Sequence, residues 1–198
     1  KGANIESFKA DLIASKKITE EKLGVTPVSL VFPRNQYNPS YISSARDLGF
    51  SNFRTNPSDW FWENTAEETL IKKIFRTGDT LVPLGKRTSF TPFRLKNGEI
   101  PASRLLRPFR KGSVFNQIRI NRIKSELITA CQHNETYHLW WHPHNFGFYP
   151  EENLSILNQL LEFIQELKAE KGLISMNMNE YSGLFNSNLN LSPDNWVK

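Results

Sequence analysis

Apolar residues recur at helical spacing in five stretches of the chain. Ile5, Phe8 and Leu12 open the first, which runs to Leu23 with Gly24 as its C-terminal cap. Tyr41, Ile42, Ala45 and Leu48 follow the start signal Asn38-Pro39 and stop at Gly49. Leu70, Ile71, Ile74 and Phe75 follow a capping box made by Thr65 and Glu68. Ile120, Ile123, Leu127 and Ala130 mark a helix from Val114 to Cys131. Leu154, Leu157, Leu161, Ile164 and Leu167 form the stripe of the longest, from Glu151 to about Lys171, with Gly172 as its cap. Between these lie short apolar runs that read as strands. They are Val28 to Phe32 between two prolines, Phe50 to Arg54, Tyr137 to Trp141, and Ile174 to Met176.

No period holds from Thr77 to Gly112. Gly78, Pro83, Gly85, Pro92, Gly98, Pro101 and Pro108 interrupt it, so the segment reads as a long loop or inserted excursion. The tail from Asn186 to Lys198 is irregular. Strands alternating with helices imply an α/β fold with parallel strands, a single domain over residues 1–198. Such folds place their sites at the carboxyl ends of strands. Two strand ends carry polar clusters, Pro33 to Gln36 and His142 to Asn145.

Composition narrows the picture. The 198 residues suit one domain, and 14 Phe, 5 Trp and 5 Tyr can build a sizeable core. A disordered or collagen-like chain is excluded. No apolar run is long enough to cross a membrane, and one cysteine, Cys131, excludes an internal disulfide and a thiolate zinc cluster. Charge is uneven: Lys72 to Lys124 holds 14 of the 25 Lys and Arg but two of the 20 acids, Asp79 and Glu99. Such a block meets a polyanion, or is a solvated face that pairs with the acidic remainder.

The residues able to do chemistry concentrate at the two strand ends. His142 and His144 flank Pro143, and histidine serves as acid, base or metal ligand near neutral pH. His138 shares the strand face of Trp140 and His142 by alternation and reads as structural. Arg34 follows an apolar strand directly and can orient a carboxylate; Asn35 and Gln36 can hold a sugar hydroxyl or an amide. Asp59 and Trp60 can shape a pocket wall, with the ring for an apolar sugar face and the carboxylate for a nearby histidine. Cys131 has no base partner in the pattern. No GxSxG, GxxxxGK[ST], GxGxxG or HExxH occurs.

Three segments together carry a resemblance: Val28-Ser29-Leu30-Val31-Phe32-Pro33-Arg34-Asn35-Gln36-Tyr37-Asn38, Phe53-Arg54-Thr55-Asn56-Pro57-Ser58-Asp59-Trp60, and His138-Leu139-Trp140-Trp141-His142-Pro143-His144-Asn145-Phe146-Gly147. They resemble the later motifs of the NodB-type polysaccharide deacetylases. The resemblance implies part of a distorted (β/α) barrel. It also implies hydrolysis of the acetyl group of a bacterial carbohydrate, with a divalent metal, usually zinc. By the same resemblance Arg34 orients the catalytic base, Asp59 and Trp60 flank the catalytic histidine, and His142 is the general acid that protonates the leaving amine. Asn35, Gln36, Trp60, Trp140 and His144 then line the sugar site.

The chain departs from the family at its start. The family's Asp-Asp run and His-x-x-x-His pair, which supply the base and the metal ligands, do not occur. The expectation is therefore that the chain is the later part of such an enzyme, binds no zinc itself and is inactive alone. Three alternatives stay open. One is a non-catalytic glycan-binding module. Another is a polyanion or nucleic-acid binder using the basic block with Phe90, Phe93, Phe109 and Phe115. The third is a separate metal site on His142, His144 and Asp59, where zinc would require at least three ligands. The compartment stays open between cytoplasm and cell envelope.

Overall fold

A computed structural model describes residues 4–33, 39–57, 59–62, 69–92 and 98–187. It is mixed α/β, rich in helix, with small parallel sheets. In chain order the elements are α1 (Ile5–Leu23), β1 (Ser29–Leu30), α2 (Pro39–Asp47), β2 (Asn52–Thr55), α3 (Leu70–Gly78), β3 (Glu99–Pro101), β4 (Arg104–Leu105), α4 (Phe115–Gln132), β5 (Leu139–Trp140), a 3-10 helix (Pro143–Gly147), α5 (Pro150–Lys171) and α6 (Met178–Ser187). They fall into two compact units, each with its own core.

The first unit gathers α1, β1, α2, β2, α6 and the Glu99–Ile100 end of β3. Asn4 caps α1 by accepting a hydrogen bond from the Ser7 amide at 3.0 Å, and Gly24 ends it in the left-handed conformation. β1 and β2 run parallel, Ser29 opposite Asn52 and Leu30 opposite Phe53, with α2 as the helix between them. Leu12, Phe32, Ile42, Ala45, Phe50 and Phe53 form the core. The Phe53 ring lies 6.3 Å from Phe32 and has the Arg46 guanidinium over it at 5.5 Å. Burying such a ring contributes about 1.5–3 kcal/mol. β3 joins the other edge of β2, entered through Gly98, whose carbonyl accepts from the Phe53 amide at 2.9 Å. Gly98 is left-handed (φ 70°), and a Cβ there would stand 1.9 Å from the Ser51 carbonyl oxygen, so glycine is required twice over.

The second unit contains α3, β4, α4, β5 and α5. β4 and β5 run parallel, Arg104 opposite Leu139 and Leu105 opposite Trp140, and α4 makes the crossover. Leu106, Ile120, Ile123, Leu127, Leu160 and Leu167 form its core, with Cys131 packed at the edge. Thr69 caps α3, its hydroxyl accepting from the Lys72 amide at 3.2 Å. The expected Thr65 and Glu68 box lies outside the described residues.

Five expectations change. The 77–112 segment is not all loop, since β3 and β4 lie within it. β4 escapes an apolar pattern because one of its core-facing residues is Arg104, buried in ion pairs rather than against hydrocarbon. Residues 174–176 form no strand; the chain there runs irregularly from Gly172 to α6, which extends past Asn186 where an irregular tail was expected. On α5 the buried row is Asn153, Leu160 and Leu167, while Leu154 and Leu161 are 56% and 48% exposed. The helix is apolar on more than one side, and packing against α4 selects the row. The described strands do not close a barrel.

Candidate functional site

β5 ends at Trp140, and the chain remains extended to His142 (φ −104°, ψ 120°) before Pro143 opens the 3-10 helix. Proline fits that first position because its fixed φ suits the turn and its missing N–H is not needed there. The His142 carbonyl accepts from the Asn145 amide at 3.0 Å, and Phe146 packs on the core of this unit. The turn is therefore anchored at both ends. Trp140 meets the His142 ring edge-on at 5.1 Å, and the rings of His142 and His144 stack at 5.0 Å and 26°. Three of the expected site residues are thus together, at the carboxyl end of a parallel strand. His138 is structural: its amide donates to the Ser103 hydroxyl, and its Nδ1 lies 3.1 Å from the Pro101 carbonyl oxygen.

Asp59 is buried and accepts from the Lys86 amide at 2.8 Å. Its carboxylate fills the space where a side chain on residue 85 would be, since a Cβ on Gly85 would come within 2.6 Å of it. One face of this carboxylate is thereby committed to the backbone. Trp60 is 49% exposed and touches Phe61 and Phe75 edge-on, with Phe61 wholly buried beneath. Arg34, Asn35 and Gln36 lie outside the described residues.

Sequence reasoning missed three polar residues around this strand end. Asn153 is buried and ties three backbone groups together. It accepts from the Phe109 amide at 2.8 Å and donates to the Phe148 and Tyr149 carbonyls at 2.7 and 2.9 Å. Those bonds hold Tyr149 left-handed (φ 52°) at the start of α5. A polar residue seven before Leu160, on the buried row, is the signal that could have found it. Arg104 is bound on one side by Asp79 at 2.9 Å and on the other by Glu126, which also takes the Tyr137 hydroxyl at 2.7 Å and Arg122 at 2.9 Å. Burial alone would lower the proton affinity of Arg104, but Glu126 and then Asp79 raise it above the ordinary arginine value. Arg107 follows two residues after Leu105, as His142 follows two after the facing Trp140. In the sequence, Leu105-Leu106-Arg107-Pro108 places an arginine after an apolar run as Phe32-Pro33-Arg34 does, which was a usable signal.

No family model, no curated protein and no solved structure matches this chain.

Among the described residues no group of three His, Cys, Asp or Glu is placed to hold a metal ion. The described residues do not fit a zinc site, which takes at least three converging donors. They do fit a fixed imidazole edge beside an aromatic wall, able to give a proton to a bound group.

Proposed function

We propose that this chain forms the proton-donating, sugar-facing part of a hydrolase that removes acetyl groups from a carbohydrate. The observation that carries the reading is the Trp140, His142 and His144 ring stack immediately after a parallel strand. On this reading the His142 imidazolium gives its proton to the leaving nitrogen as the acetamide C–N bond breaks, a step worth about 10²–10⁴ in rate. Pro143 and the Asn145 bond hold its backbone, and Trp140 limits the ring's swing. Trp60 offers a face to the sugar, Asp59 fixes the turn beside it, and Arg34 orients the carboxylate base of the complete enzyme. Such enzymes are distorted (β/α) barrels, and helix-linked parallel pairs such as β1–β2 and β4–β5 are the units from which barrels of that kind are built.

The chain's described residues supply neither that base nor a metal site. Acetylated chito-oligosaccharide is expected to change the tryptophan fluorescence of the chain saturably, with no acetate released even with zinc added. In a longer natural chain that includes this sequence, His142→Ala is expected to cut acetate release by about 10²–10⁴. Acetate release that ignores His142→Ala would sink the reading. Binding without turnover in the longer chain would replace it with a glycan-binding module.

A further inference from the structure

The second unit holds an arginine cluster that, among the described residues, pairs with no acid. Arg107, at the end of β4, and Arg119, on α4, both line a small pocket with Thr80, Asn116, Ile120 and Ile156. The Nε of Arg107 and the Nε of Arg119 are both buried and make no hydrogen bond. Among the described residues no ion pair reaches Arg107, Arg110 or Arg119, in contrast to the acid-bound Arg104 three residues before Arg107. Burial and then the charges of Arg119, Arg110 and Arg104 lower the proton affinity of Arg107; burial and Arg110 do the same to Arg119. A half-buried guanidinium whose Nε lacks a partner, crowded by like charges, is disfavoured unless an anion joins it.

The surroundings favour a small anion. The pocket encloses about 10 Å³, room for roughly one oxygen-sized group. It adjoins an open groove of about 630 Å³ that shares Asn116, Ile120 and Ile156 with it. Asn116 is held rigidly, accepting from the Arg110 amide and donating to the Arg110 carbonyl. The first turn of α4 carries no acid, and Val114 gives it no side-chain cap, so its positive end adds to the field. Glu151 and Glu152 line the groove. They oppose an extended polyanion lying along it and leave the pocket to a compact anionic head.

We infer that Arg107 and Arg119 receive a phosphate group, one oxygen entering the pocket and the molecule that carries it occupying the groove, with the exposed Arg110 adding to the field. Guanidinium forks match phosphate oxygens in pairs. Binding here requires no hydrolytic chemistry, so a failed acetate assay leaves it standing.

The test is calorimetric titration of the chain with inorganic phosphate and, separately, with glucose 6-phosphate, each against sodium chloride of equal ionic strength. Saturable one-to-one binding of phosphate, absent with chloride, is expected. Arg119→Gln should weaken it by about tenfold or more, while Arg87→Gln, whose guanidinium is exposed and pairs with Glu135, should leave it unchanged. Arg119 sits on the helix surface rather than in the core, and a circular dichroism melt checks that the variant folds. Tighter binding of the sugar phosphate identifies a carried phosphate as the occupant; equal binding identifies the free ion, and either supports the site. Phosphate indistinguishable from chloride, equal losses in both variants, or binding to heparin alone would overturn it.

Discussion

Arg104 and Arg107 stand three residues apart on the same side of one crossover, and both are drawn away from water. Arg104, 7% exposed, is enclosed by Asp79 and Glu126, with Arg122 and Tyr137 completing the set. Arg107 is half-buried beside Arg119 and, among the described residues, pairs with no acid. The first arrangement is internally balanced and fixes β4 against α4. The second is unbalanced in the chain itself and becomes balanced only when something negative arrives. The two arginines differ in burial as well, but it is the acids around them that separate a structural arginine from a receptive one.

The largest test of that contrast is a pair of substitutions. Arg104→Met removes the most buried cation of the cluster and leaves Asp79 and Glu126 with Arg122 alone, 4.0 Å from Asp79 and 2.9 Å from Glu126, and is expected to cost about 3 kcal/mol. Arg107→Met removes a cation that the chain does not balance and is expected to change stability by less than about 1 kcal/mol, in either direction. Urea denaturation of both variants beside the parent checks it. Equal losses would mean that Arg107 has a counter-charge in the folded chain, and the contrast would fall.

The balanced cluster also carries a pH signature. Burial first and Glu126 second push the Tyr137 hydroxyl well above its ordinary value near 10. The folded state therefore holds this proton more tightly than the unfolded chain. Its contribution is fully present below about pH 10 and is lost as pH rises above that value, by up to about 1.4 kcal/mol per pH unit. Tyr137→Phe should flatten this loss between about pH 10 and 11 while costing about 1–3 kcal/mol at pH 7, where it leaves a Glu126 oxygen short of a donor. A variant that loses stability with pH as steeply as the parent would place the titrating group elsewhere.

How much of this was legible beforehand follows from where the information lies. α1 and α5 were readable because each combines an apolar repeat with a glycine that turns left-handed at its end. The end of β5 was readable because an apolar strand running into a proline between two histidines stands out from its surroundings. β3 and β4 were not. They are three and two residues long, lie among prolines, and β4 buries Arg104 where a hydrocarbon side chain would have signalled a strand. The buried row of α5 was misplaced because Leu154 and Leu161 are as apolar as Leu157 and Leu160; only contact with α4 tells them apart. Asp59 and Trp60 were named from the sequence, but the bond from Asp59 to the Lys86 amide depends on a turn that no local pattern announces.

The smallest expected effect concerns the unbalanced cluster alone. In a buffer free of phosphate, Arg119→Gln relieves part of the repulsion among Arg107, Arg110 and Arg119. Arg119 is partly open to solvent, so screening reduces the gain to about a few tenths of a kcal/mol. That gain should shrink further in about 1 M sodium chloride, where the Debye length falls to roughly 3 Å and the parent is relieved by salt instead. Adding phosphate should reverse the order, stabilising the parent by mass action and leaving the variant where it was. Melting curves of the two proteins in chloride and in phosphate contain the whole comparison. If the parent is the more stable in both salts by the same margin, Arg119 contributes through packing of its stem on α4 and the receptive cluster loses its electrostatic basis.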